Sequence, residues 1–233
     1  MATSTRVDSA LLSFVAAFVD TCSFVGLYGL FAAHVTGNFV LMGAELVQHE
    51  GNLLPKLLSF PVFILAVAFA ALLAARLKEH GRDRVRPAMA LQCVLLCAAA
   101  GAPLLLGTPA APGSASVLVP SVALVLAMGL QNGLMRLELA ALPPTTVMTG
   151  NVTQVTVDMV NLALRPAHSP ATAPGAPEVA RLRNMWPGVL GFLVGAGAGA
   201  VGFASFGLYC LALPAGICAV LACRLGRTIS PSV

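Results

Sequence analysis

Long apolar runs dominate the chain, and they do not alternate every second residue as a half-buried strand would. Six runs stand out, over about residues 11–35, 57–75, 87–106, 116–142, 186–206 and 208–223. A helix needs about 20 apolar residues to cross roughly 30 Å of hydrocarbon, and only helices and closed barrels satisfy all their backbone polar groups there. The pattern predicts an all-α, polytopic membrane bundle of six transmembrane helices, a single membrane domain spanning residues 1–233.

The polar positions repeat. Thr36-Gly37-Asn38 recurs as Thr149-Gly150-Asn151, and the same shift aligns Phe39, Met42 and Leu46 with Val152, Val155 and Met159. It also aligns Asn38, Glu45 and Gln48 with Asn151, Asp158 and Asn161, so each motif opens a short amphipathic helix with a carboxylate about two turns in. Upstream, Asp20 comes close to Asn132 with one residue of slippage. The chain reads as two repeats, about 9–107 and 116–225, each with three crossings. An odd number of crossings inverts the second repeat relative to the first, the architecture of many secondary transporters.

Glycine tolerates backbone angles that other residues avoid, so Gly37 and Gly150 predict a sharp helix break in each repeat. Thr36 or Thr149 is expected to cap the helix that follows. Pro143 and Pro144 are expected to end the helix before the second motif. A break facing lipid would leave backbone groups unsatisfied, which predicts that both are buried in protein or line a wet cavity.

Composition agrees with a lipid solvent. Of the 233 residues 58% are hydrophobic and 9% charged, with a mean hydropathy of +0.89, whereas a soluble domain carries roughly a quarter charged residues. Arg6, then Arg76, Lys78, Arg82, Arg84 and Arg86, then Arg165, Arg181 and Arg183, then Arg224 and Arg227 fall in alternate connections. That bias puts both termini in the cytoplasm. Lys56, Glu45 and Glu50 are the charges of the opposite connections. The net charge of +4 sits beside membrane ends without interleaved aromatics, which suits anionic lipid and not nucleic acid. Residues 165–183, rich in proline, read as a cytoplasmic linker between the halves. The six cysteines lie inside predicted spans, without metal-ligand company, and read as packing residues. No cofactor is implied.

Asp20 is the costliest residue, a carboxylate placed near the middle of the first predicted span. It is either a proton or cation site or a lock between two helices. Arg136, one turn beyond Asn132, either holds an anionic group, with Asp20 as its natural partner, or reaches to cytoplasmic phosphates. Glu45 and Asp158 read as solvated faces of interfacial helices, and His34 and His49 as interfacial histidines. Gly191, Gly195 and Gly199 form a small-residue ladder for close helix approach, between halves or between protomers of a homo-oligomer.

Asp20, then Phe31 with His34 to Asn38, then Gly129 to Gly133, then Thr145 to Asn151 together resemble the YoaK family of small bacterial integral membrane proteins. The resemblance covers about residues 9–225 and implies a multi-pass protein of the bacterial inner membrane, with no established substrate. The residues themselves point to a transporter or channel for a small solute or ion, its polar site built from Asp20, Thr36, Gly37, Asn38, Gln131, Asn132, Arg136, Thr149, Gly150 and Asn151. The competing reading is a scaffold or sensor whose polar residues fasten helices. An enzyme is not expected, since no nucleophile elbow, zinc-protease motif or phosphate loop is present.

Overall fold

The structure is a computed structural model that describes residues 2–48, 53–164 and 177–228. Among them are eight α-helices and no strand: α1 (Ala2–Gly26), α2 (Val35–Gln48), α3 (Leu53–Glu79), α4 (Val85–Leu106), α5 (Ala115–Leu137), α6 (Met148–Ala163), α7 (Pro177–Phe206) and α8 (Ala212–Thr228). Five segments are long and apolar enough to cross a membrane: Thr5–Gly26, Leu53–Glu79, Val85–Leu106, Ala115–Leu137 and Pro177–Leu225. The last contains both α7 and α8. Where the sequence suggested two separate spans, the chain passes through a five-residue 3₁₀ turn, Gly207–Leu211, entered at a positive φ of 57° that glycine accepts without strain. Alone, α8 has 17 residues.

The halves are interlaced. α1 packs mainly on α7, and α5 on α3, so the first helix of each half lies against the third-position helix of the other. α4 lies against α5 and α8. In α1 and α5 67% of the most apolar stretch is buried, against 17% in α3, which puts the first two at the centre and leaves α3 presenting side chains outward. The glycine ladder works inside one chain. A Cβ at Gly191, Gly195 or Gly199 would come within 2.2, 2.4 or 2.6 Å of the carbonyl oxygens of Ala10, Phe14 and Phe18, so α1 and α7 touch backbone to backbone.

Two expected boundaries move. The first helix ends at Gly26, nine residues short of Val35, because Tyr28 and Gly29 both take positive φ and reverse the chain. Asp20 is therefore six residues from the end of α1, and not mid-span. The helix before the second motif ends at Leu137, so Pro143 and Pro144 lie in the connection and do not terminate it. Residues 165–176 of the proline-rich linker, with His49 and Glu50, lie outside the described residues.

Candidate functional site

The break in the first half is the stretch 27–34, and the Thr-Gly-Asn motif is the first turn of the helix after it. Gly37 and Gly150 have no positive φ, and neither Thr36 nor Thr149 is a cap; α6 begins after Val147, which makes no side-chain capping bond. The motif instead holds the break in place. Asn38 accepts from the Phe31 N–H at 2.9 Å and donates to the Phe31 carbonyl at 2.9 Å and to Ser59 on α3 at 2.9 Å. Phe31 in turn lies over Gly37, where a Cβ would meet its ring at 3.0 Å. A larger residue there would press on the ring, while the backbone angle makes no demand for glycine.

Residues 27–34 double back toward the body of α1. The Ser23 hydroxyl donates to the Leu30 carbonyl at 2.9 Å, the Ala33 N–H donates to Asp20 Oδ1 at 2.5 Å, and His34 Nδ1 bonds Asp20 Oδ2. Asp20 thus accepts two bonds from its own half. Leu27, Leu30, Ala32 and Ala33 are buried, so this non-helical backbone is enclosed by protein, as an apolar solvent demands.

The second half repeats the arrangement with different chemistry. Asn151 donates to the Pro144 carbonyl at 2.7 Å across the same seven-residue interval, and Pro144 has no N–H to return. Thr146 donates to Asn132 Oδ1 at 2.6 Å, as Ala33 does to Asp20. Beside it, Gln131 donates to the Leu12 carbonyl of α1 at 3.0 Å and to Thr145 at 3.1 Å, while accepting from Gln92 of α4 at 2.7 Å. Gln131, Gln92 and Thr145 are each about 1% exposed. One amide network therefore ties α1, α4, α5 and the second break.

His34 closes the first break. Burial works against a charged imidazole, but the bond to Asp20, its negative charge and a bond to the Thr146 backbone outweigh that and hold His34 above the ordinary histidine value. A groove of about 480 Å³ is lined by Asp20, Phe31, His34, Thr36, Gly37 and Phe192. A second cavity, of about 190 Å³, is lined by Asn132, Arg136, Pro144, Thr145 and Thr146.

Each amphipathic helix is fastened by an ion pair. Glu45 of α2 accepts from Lys56 of α3 at 2.5 Å, and Lys56 also donates to the Tyr28 carbonyl at 2.7 Å. Asp158 of α6 accepts two bonds from Arg181 of α7, at 2.7 and 3.0 Å, and one from Gln154. The Arg181 bonds hold the Asp158 carboxyl below the usual carboxylate range, against the opposing effect of burial. Both carboxylates are buried, 8% and 0% exposed, which corrects their reading as solvated faces. Lys56, taken from the sequence as a loop charge, is 1% exposed.

Of the residues singled out from the sequence, Asp20, Asn38, Gln131 and Asn151 are buried, and Asn132 is half-buried between the second break and its cavity. Thr36, Thr149, Gly150 and Arg136 are exposed, and Gly37 is partly so. Arg136 does not meet Asp20, whose partner is His34; Glu138 pairs with Arg84 at 2.9 Å. Gln92 and Ser59 had not been singled out, and their one signal was a polar residue inside an apolar run; Lys56 had been read only as a loop charge. Among the described residues no group of three or more His, Cys, Asp and Glu is placed to hold a metal ion. No curated protein and no solved structure matches this chain. Residues 9–224 match the description of a family of proteins of unknown function, DUF1275, and the chain belongs to that family.

Proposed function

We propose that this protein is a transporter or channel for a small solute or ion, with two inverted three-crossing halves and a polar site where their breaks meet. The observation that carries the reading is the pairing of Asp20 with His34 in the first break and of Asn132 with Thr146 in the second, each beside a cavity. Polar groups this far inside an apolar bundle are costly and mark solute or ion paths more often than inert fastenings.

Two ion pairs support six crossings. Arg84, ahead of α4, pairs with Glu138 at the end of α5, and Arg224 near the end of α8 lies 3.1 Å from Asp8 near the start of α1. An alternating path with both termini in the cytoplasm of a bacterial inner membrane puts all four residues on one side. In that path Glu45–Lys56 and Asp158–Arg181 lie toward opposite faces. Each fastens one amphipathic helix, so opening one while the other stays closed gives alternating access.

The test is flux. Purified protein in vesicles is assayed for proton and small-solute flux, with Asp20→Asn combined with Asn151→Ala as the variant. We expect at least a tenfold loss. Undiminished flux in a folded variant removes these residues from the mechanism.

A scaffold or sensor is the second reading, favoured by the completeness with which Asn38 and Gln131 are bonded within the protein. It predicts that the same variant loses thermal stability with no change in any flux, and that a protein partner copurifies.

A further inference from the structure

We propose that the cavity at the second break binds a small carboxylate, held by the Arg136 guanidinium and the Thr145 hydroxyl. The proposal rests on the transport reading above and names the solute class that one of its two cavities takes.

The two cavities occupy equivalent places in the repeat. Asn132 and Arg136 line the second from α5 at the spacing with which Asp20 and Phe24 line the first from α1. Pro144 and Val147 likewise stand in the second break where Phe31 and His34 stand in the first. The exchange reverses the charge. A carboxylate and an imidazole give way to an amide and a valine, and an aromatic ring gives way to a guanidinium. Among the described residues no acidic side chain lines the second cavity.

Hydrogen-bond accounting shows what the second cavity lacks. Thr145 is 1% exposed, and its oxygen accepts from Gln131 at 3.1 Å. Its own O–H has no acceptor among the described residues, and a buried hydroxyl left so is costly. Asn132 Nδ2 donates one hydrogen to the Met128 carbonyl and Oδ1 accepts from Thr146, which leaves the second Nδ2 hydrogen over. Arg136 makes no ion pair among the described residues, since Glu138, two residues on, is taken by Arg84 at 2.9 Å. Three donors and one positive charge therefore border one cavity and lack an acceptor. Val147, in the same lining, precedes α6, so the positive end of that helix adds to the field. A carboxylate supplies two acceptor oxygens in the geometry a guanidinium matches. An engineered cavity of about 150 Å³ holds benzene, so the space of about 190 Å³ here takes a solute of that size. Met135, Leu142 and Pro144 complete the wall, which suits a carboxylate on a short carbon chain better than a hydrated phosphate.

The test is titration calorimetry on the full chain in a maltoside detergent, with lactate as the probe. Lactamide is the uncharged control, and inorganic phosphate and soluble dihexanoylphosphatidylglycerol stand for the free and lipid phosphates. We expect lactate to bind and lactamide not to. Arg136→Gln should weaken lactate about tenfold or more, and Thr145→Val about threefold, with Thr145→Ser restoring the affinity. Arg82→Gln, an exposed cation in another connection, should leave it unchanged. Arg136 is exposed, so its variant folds even if Thr145→Val, which also disturbs Gln131, does not. Lactamide binding as well as lactate, affinity indifferent to Arg136→Gln, or tighter binding of either phosphate probe overturns the proposal. Binding that depends on Arg136 without lactate flux into vesicles supports the site and defeats the transport reading. Flux of another solute with no lactate binding overturns the carboxylate site alone.

Discussion

Asn38 and Asn151 make the same backward bond in two places, each donating to a carbonyl seven residues earlier, Phe31 at 2.9 Å and Pro144 at 2.7 Å. The first closes a two-way bridge and also reaches Ser59; the second is one-way, with Met148 Sδ at 3.7 Å as its other neighbour. A buried group left without its partner costs about 1–3 kcal/mol. Asn38→Ala strands the Phe31 N–H and carbonyl, whereas Ser59 still donates to the Lys56 carbonyl, so it should destabilise by about 2 kcal/mol, against about 1 kcal/mol for Asn151→Ala. Thermal unfolding in detergent checks the order; equal losses would show that the extra bonds of Asn38 contribute nothing.

The Glu45–Lys56 pair sets up a double-mutant comparison. Removing one member of a buried pair leaves an uncompensated charge, at about 3–5 kcal/mol, whereas replacing both by apolar residues of similar volume is often neutral or stabilising. Lys56→Met should therefore be severe, because it also strands the Tyr28 carbonyl. Glu45→Met with Lys56→Met should recover most of the loss in unfolding temperature. If the flux of the double variant is lost while its stability returns, the pair is a latch and not a brace.

Asp158 gives a pH dependence whose sign is fixed. Its carboxyl titrates below the usual range when folded, so its stabilising contribution is full above the unfolded value of about 3.9 and fades as pH falls through the folded value. The wild-type unfolding temperature should drop across that acidic window. Arg181→Ala should start lower at neutral pH and lose less on acidification, since the bonds that depress the carboxyl are gone. Parallel curves for the two proteins would mean that Arg181 does not set the Asp158 titration.

The helical class and the position of both amphipathic helices were legible because each rests on local periodicity, which helices of 14 and 16 residues suffice to display. Asn38 and Asn151 were legible as a repeated motif, but their task was misread. A glycine between two polar residues suggests a bend, whereas the reversal comes earlier, at Tyr28, a residue type that rarely takes positive φ and so gives no warning. The partners of the charged groups were not legible at all. His34 finds Asp20 because the break folds back on α1, and Lys56 finds Glu45 because α2 returns along α3. Pairing of that kind depends on three-dimensional placement, because the partners of each pair do not share a helix.

The inverted arrangement itself has a direct test in two single cysteines. Arg84–Glu138 and Asp8–Arg224 join one set of helix ends, while Val25, Pro103, Pro109, Phe206 and Tyr209 line a cleft of about 580 Å³ between other ends of α1, α4 and α7. If the chain alternates across the bilayer, residue 110 is outside and residue 82 inside. In a background with the six native cysteines replaced, Ala110→Cys should react with a membrane-impermeant maleimide on intact cells, and Arg82→Cys only after permeabilisation. Arg82 also lies in the most basic connection of the chain, so the charge bias makes the same demand. Labelling of both from one side would remove the odd crossing number of each half. With it would go any reason for Glu45–Lys56 and Asp158–Arg181 to face opposite solutions, and alternating access would lose its two gates.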